Sequence, residues 1–449
     1  MPETSKFIIR NLELYTPIVS KNRDSGTYSI SKQESDRFPI DNFSHFPVLI
    51  DEKGLPWPPA NLYLLSKLEN INTPNPKTLE SIANDLVTFQ RFLLFENLAY
   101  DCFPKRKLSR PTYRYRAYLV AKVKNGTMSA NTAKRKISSV VGFYRWLQNQ
   151  PNIKLGYPAW NESERFISFQ DEYGFTQAKR VRQTDISLNL MSPKNIEEIN
   201  DGGKLKPLTK NEQQQLAYAL KAIGNTEMTL IFLVALTSGA RIQTVCTLRF
   251  SILNSHQCQS GLYIIHAGGK TLIDTKLNKP IILLLPVWVM DKLKVYANSL
   301  RSKRRCDLSS HYPDDKQSQY LFLTKSGKPY YVSEKDPQIK SYRHPPKGDA
   351  VRQFIKTSIA REMSKSKRTF QFRFHDLRAT FGLNLIEDLL NQLNGGDISR
   401  FDLLMIVKER MGHSRLETTE GYLNYRIHNK LLIETQSEYE LFLKGLIDG

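Results

Sequence analysis

Two arginines, two histidines and a tyrosine are spaced in this chain so that they could act together on one phosphodiester. Arg241 ends Thr237-Ser-Gly-Ala-Arg241, where a Ser-Gly turn should open a helix. The unpaired N–H groups at such a turn already favour an anion, and an arginine fork can hold two oxygens of one phosphate. His375 and Arg378 stand three residues apart in His375-Asp-Leu-Arg378, which sets an imidazole and a guanidinium on one helical face, with Phe374, Leu377 and Phe381 to seat that helix on a core. His413 follows Met411-Gly412 at a tight turn, Ser414 can cap the helix after it, and Tyr422 comes nine residues later with Tyr425 one turn beyond. Lys270, Lys276 and Lys279 crowd a polar stretch between two strand-like segments. Each has an ordinary reading when taken alone: a surface arginine, a surface His-Arg pair beside Asp376, a tyrosine that anchors packing, lysines that decorate a sheet edge. Together, in a very basic chain, they suggest chemistry on a phosphodiester, whose charge such cations would neutralise.

Composition narrows the partners. The 449 residues carry 65 Lys and Arg against 44 Asp and Glu, a formal charge of +21, which without a polyanionic partner would only add self-repulsion. Double-stranded DNA suits such a charge better than an anionic membrane surface, because the most apolar runs, 230–236 and 281–290, are too short to span and the second contains Pro286. The first residues lack the apolar segment of a signal peptide. Cys102, Cys246, Cys258 and Cys306 show no paired spacing, which argues against zinc and against a disulfide framework and fits a reducing cytoplasm. With no Asp/Glu/His cage either, no cofactor or metal is expected.

The elements that must position these residues divide as follows. Residues 1–55 read as an appendage or arm, 56–155 as a helical DNA-binding domain, 156–205 as a linker, 206–430 as the catalytic domain and 431–449 as a tail helix. In 78–97, apolar residues recur at three- and four-residue spacing behind Thr78 as N-cap, and 129–150 repeats the pattern. Between them Lys105, Arg106, Lys107, Arg110, Arg114 and Arg116 interleave with Tyr113 and Tyr115. With Lys134, Arg135, Lys136 and Arg145 they form the candidate phosphate contacts; a solvated helix face is the ordinary alternative. Thr209 and Glu212 have capping-box spacing, 262–266 and 281–285 predict an antiparallel hairpin, 320–323 a further strand, and 391–400 a surface loop.

In order and spacing, the boxes ending at Arg241, spanning His375 to Arg378 and running from Met411 through Thr418-Thr419 to Tyr422 resemble those of the tyrosine recombinases, the phage-integrase family of site-specific DNA strand-exchange enzymes. The resemblance covers about residues 60–430. It implies a mainly α fold with a small antiparallel β-sheet in the catalytic domain: a helical core-binding domain followed by a mixed α/β integrase-type catalytic domain. It also implies that Tyr422 attacks phosphorus to leave a 3′-phosphotyrosyl link, with His375 as base, Arg241 and Arg378 clamping the oxygens, and His413 adding a hydrogen bond. A hairpin lysine protonates the leaving 5′-oxygen; Lys276 fits the turn best, with Lys270 and Lys279 behind it. Further implications are a homotetramer on DNA with the tail docked on a neighbouring subunit, accessory directionality proteins, a mobile-element home, and a cytoplasmic, nucleoid-associated location in bacteria. Three departures stand out: the hairpin lysine is ambiguous, the stretch from Arg378 to His413 is long, and 333–349 reads as an insertion. The alternatives are a type IB topoisomerase using the same chemistry on one duplex, and a DNA-binding protein that has lost catalysis.

Overall fold

The computed structural model describes residues 4–21, 27–34, 36–170, 176–190, 198–254, 257–365 and 370–448, which fall into two units, Met1–Pro193 with Lys340–Arg343 and Lys194–Ile339 with His344–Gly449. The side chains of 429–438, and with them Leu431 and Leu432 of the expected tail, lie outside the described residues.

The first unit opens with strands. β1 (Ser5–Glu13) pairs antiparallel with β4 (Asn42–Ile50), and β2 (Thr16–Lys21) with β3 (Tyr28–Gln33). The β1–β4 ladder turns Ile8, Phe43, Phe46 and Leu49 inward, so this stretch contributes to a core. Helices α1 (Pro58–Ser66), α2 (Pro76–Phe95), α3 (Pro111–Lys124) and α4 (Ala130–Gln148) bury Leu64, Leu86, Phe89, Tyr115, Phe143 and Tyr144 against one another. The α2 cap differs from the expected Thr78: Asn75 accepts from the Lys77 amide at 2.9 Å and Pro76 occupies the first position, where its fixed φ suits a helix and its missing N–H costs nothing. Ser129 caps α4. A hairpin of β5 (Glu162–Gln170) and β6 (Thr176–Thr184) occupies part of the segment read from sequence as a linker.

The second unit begins with a small hairpin, β7 (Ile199–Asn200) and β8 (Lys204–Leu205). Helix α5 (Lys210–Ile223) has the Thr209/Glu212 capping box that the sequence announced. Helix α6 (Thr226–Ser238) is mostly apolar and largely buried, with Thr229, Leu233 and Leu236 half-buried along one face, and its Glu227 is met by Arg301 (2.7 Å) and Arg305 (2.9 Å). After α7 (Ile242–Cys246) come β9 (Cys258–Gln259), β10 (Leu262–Ala267) and β11 (Ile281–Pro286), an antiparallel sheet in the order β11-β10-β9. Helices α8 (Val287–Asn298) and α9 (Leu300–Asp307) follow. The expected strand at 320–323 is instead a buried irregular segment making single bridges, Arg249 to Tyr320 and Leu323 to Pro329. Helices α10 (Asp349–Phe354) and α11 (Ala360–Lys365) are joined by a π-helical turn. The last three helices are α12 (Asp376–Gly395), α13 (Arg400–Met411) and α14 (Leu416–Asp448). Helix α12 takes the first half of the expected 391–400 loop, and the tail is a continuation of α14. Helices, with small antiparallel sheets, make up both units, as the fold class required. No helix among the described residues is long and apolar enough to cross a membrane.

Candidate active site

Three helix ends deliver the candidate reactive side chains. Gly239 closes α6 in the left-handed region (φ 66°), which turns the chain so that Arg241 lies at the start of α7. His375 is the residue ahead of α12 and Arg378 lies in its first turn. Gly412 ends α13 with φ 62°, and the His413 amide bonds back to the Lys408 carbonyl at 2.9 Å. Tyr422 is two turns into α14, wholly buried, with its ring against α12 at Gly382: a Cβ there would lie 2.7 Å from Tyr422 Cε1.

These groups converge on one carboxylate, that of Asp201 in the β7–β8 turn. Arg378 Nε donates to Asp201 Oδ2 at 2.6 Å, Tyr422 Oη at 3.1 Å and His413 Nε2 at 3.2 Å, while Arg241 reaches Oδ1 at 3.4 Å. His375 Nε2 donates to the Asp201 carbonyl at 3.1 Å. The remaining Arg378 donors go to the carbonyls of Gly239 (2.9 Å) and Met411 (2.5 Å), so one guanidinium ties the ends of α6 and α13 together. His413 Nδ1 accepts from the Thr419 hydroxyl at 2.9 Å, which leaves Nε2–H to face the anion.

Burial alone would raise the Asp201 carboxyl, but the His413 hydrogen bond and the Arg378 charge outweigh it and hold the group well below the usual carboxylate range. Burial lowers both His375 and His413, so both rings are neutral near pH 7. Burial, with the Asp201 charge next, pushes Tyr422 well above an ordinary phenol. A phenol held so firmly protonated needs a base at the moment it attacks.

Position separates the three lysines. A Cβ on Gly202 would lie 3.7 Å from Lys276 Nζ and 3.9 Å from His375 Nε2, so Lys276 joins the cluster. Its loop is pinned on two sides. The Asp274 amide donates to Thr247 Oγ1 (2.8 Å), its carboxylate accepts from Ser333 Oγ (2.5 Å) and the Glu334 amide (3.0 Å), and Lys335 bonds to the carbonyls of Gly269 and Thr271. Residues 333–335, at the start of the expected insertion, therefore brace the lysine loop. Lys270 and Lys279 instead line a groove with Ile264, Ile282 and Met405. Tyr425 packs against the cluster that holds Tyr422. Sequence reasoning missed Asp201, Asp274 and Gly382; the Asp201-Gly-Gly203 turn was visible, but nothing local placed it here.

Among the expected phosphate contacts of the first unit, Lys105, Arg106 and Lys134 are exposed and Arg116 is half-buried. Lys107 pairs with Asp185 (2.5 Å), Arg114 with Glu96 and Arg145 with Glu162 (2.7 Å), exposed pairs that a phosphate can replace at little cost. Arg110 is a correction. It is buried and spends its guanidinium on the carbonyls of Pro104, Lys105 and Pro158, each at 2.9 Å, which leaves no face for DNA. Arg135 (2.7 Å) and Lys136 (3.5 Å) answer the fully buried Asp85.

The phage integrase family model matches residues 206–428, the stretch that carries Arg241, Lys276, His375, Arg378, His413 and Tyr422. The chain belongs to that family, the tyrosine recombinases. Among solved structures the recombinase is similar to the Tn1549 transposon integrase in complex with a circular intermediate DNA, at 14% identity, covering 81% of this chain and 94% of that one with a TM-score of 0.46. It is also similar to a lambda integrase tetramer bound to a Holliday junction, at 12% identity, covering 80% and 76% with a TM-score of 0.41. No curated protein matches the chain.

Proposed function

We propose that this recombinase cuts and rejoins DNA at specific sites through a 3′-phosphotyrosyl intermediate, and that it serves a mobile element. The observation that carries this reading is the convergence of Arg241, Arg378, His413 and Tyr422 on a single anionic group. A carboxylate holds that seat here; a phosphodiester offers the same charge and oxygen acceptors. Tyr422 Oη forms the bond to phosphorus, its proton passes to neutral His375, and the bond from phosphorus to the 5′-oxygen breaks as Lys276 gives that oxygen a proton. Arg241, Arg378 and His413 hold the two non-bridging oxygens, where loss of one such donor costs about 3–4 kcal/mol of transition-state stabilisation. The phosphotyrosyl ester retains the energy of the broken bond, so the reverse attack by a 5′-hydroxyl reseals DNA without a cofactor.

The working assembly is a homotetramer on two duplexes. The end of α14 supports this, since Tyr439, Leu441, Phe442, Leu446 and Ile447 are all exposed there, an apolar surface suited to a neighbouring subunit. Deleting 431–449 should abolish recombination and leave DNA binding nearly intact; equal loss of both would sink the docking role.

The test of the chemistry is covalent trapping on nicked duplexes made from DNA flanking the protein's own coding sequence. A denaturant-stable adduct should form with wild type and not with Tyr422→Phe. An adduct that survives Tyr422→Phe would move the nucleophile elsewhere, and relaxation of plasmid lacking any special site would favour a topoisomerase.

A further inference from the structure

The carboxylate at the centre of the site has no place in the reaction just described. It occupies the seat that a scissile phosphate needs, and every donor proposed to grip that phosphate is already turned onto it. Oδ2 takes Arg378, His413 and Tyr422, and Oδ1 takes Arg241. The turn behind it fills the approach as well, because Gly202, at φ 69°, lies between Lys276 and His375. We infer that Asp201 is an internal substitute for the scissile phosphate, so that the β7–β8 turn closes the site in DNA-free protein and must withdraw before cleavage. The inference rests on the recombinase reading above.

The flanking contacts explain how so short a turn can serve as a plug. Ile199 and Leu205 are buried in the core cluster that also holds Tyr422, Lys204 pairs with Glu198 at 3.0 Å, and the Lys206 amide donates to Asp376 at 3.1 Å. The strands are thus anchored, and Asp201-Gly202-Gly203 forms the tip, closed by the Asp201 amide on the Gly203 carbonyl at 3.0 Å. Two consecutive glycines let that tip change conformation more readily than any other pair of residues. A phosphate and a carboxylate cannot share one pair of arginines without like-charge repulsion, so binding is exclusive. The plug also keeps the buried Arg378 and the half-buried Arg241 paired until DNA arrives; left unpaired, they would destabilise the fold. Strand cleavage is thereby confined to protein that has met a backbone able to displace the turn.

The experiment compares wild type with Asp201→Asn, which keeps the shape and removes the charge. Inorganic phosphate is the first probe, titrated by calorimetry and by thermal melting. Asp201→Asn should bind phosphate and melt higher as phosphate is added, whereas wild type should respond at least about tenfold more weakly, as expected when the competent state is about a tenth populated. Adduct formation on the nicked duplex should be faster in Asp201→Asn by a similar factor. Should the variant not fold, wild type alone decides: hydrogen exchange over 199–205 should speed up when the nicked duplex binds. Equal phosphate binding by both proteins, slower adduct formation in the variant, or added protection of 199–205 on DNA would each overturn the plug. If the variant binds phosphate but neither protein forms an adduct, the plug stands and the recombination chemistry falls. A Tyr422-dependent adduct with no gain in phosphate binding would keep the chemistry and remove the plug.

Discussion

Gly382→Ala is the sharpest perturbation of the proposed nucleophile that removes no candidate reactive group. The added Cβ would lie 2.7 Å from Tyr422 Cε1, 3.0 Å from Tyr422 Cδ1 and 3.0 Å from Met411 Cε. Ordinary contact begins near 3.4 Å, so the ring must move by about 0.7 Å or the α12–α14 spacing must open. Overpacking of this kind costs about 1–3 kcal/mol, offset by about 1 kcal/mol because alanine suits a helix interior better than glycine. Stability therefore changes little, but placement does not. A displacement approaching 1 Å can cost about a hundredfold in rate, so adduct formation on nicked duplex should fall about 10- to 100-fold while DNA affinity holds. Gly421→Ala is the control, since a Cβ there meets nothing within 4 Å, and it should cleave like wild type. Unchanged adduct formation by Gly382→Ala, with Tm within a few degrees of wild type, would show that Tyr422 does not act from the position seen here.

Three other outcomes follow from the same contacts. Lys276→Ala should slow cleavage of ordinary DNA by about 10²–10⁴-fold yet cut a duplex with sulfur at the 5′-bridging position nearly normally, because a thiolate leaves without a proton; Asp274→Ala should show a milder form of the same rescue, and a defect that sulfur does not relieve would remove the acid role. Arg110→Ala should lower unit stability by about 2–4 kcal/mol and leave the salt dependence of DNA binding alone, whereas Lys134→Ala should leave Tm unmoved and reduce the salt slope by about 1. The Asp201 carboxyl is held below its unfolded value, so the stability it lends is complete above about pH 4 and is lost as pH falls further toward the folded value. The Tm gap between wild type and Asp201→Asn should accordingly stay flat from about pH 8 to 5 and close only in acid; a gap that changes between about pH 6 and 8 would place the titrating group on a histidine.

The candidate site residues were legible in the sequence because each depends on a short local pattern. A glycine-ended helix followed by an arginine, a histidine three residues before an arginine, and a histidine two turns before a tyrosine each specify a helix end and the face beside it. The Thr209/Glu212 cap and the β10–β11 hairpin were legible for the same reason, since their signals lie within a few residues. What only the tertiary structure decided are encounters between segments far apart in the chain. Lys276, rather than Lys270 or Lys279, stands beside Gly202 and His375 because its loop is held by Thr247 and Ser333 from two different elements. Arg110 became structural because the carbonyl of Pro158 folds back onto it. Gly382 matters because α14 crosses α12 at that residue, and Asp201 meets His413 across more than two hundred residues of chain. Such contacts leave no periodicity in the sequence; they arise when buried apolar faces choose their partners, and the polar groups carried along must then find theirs.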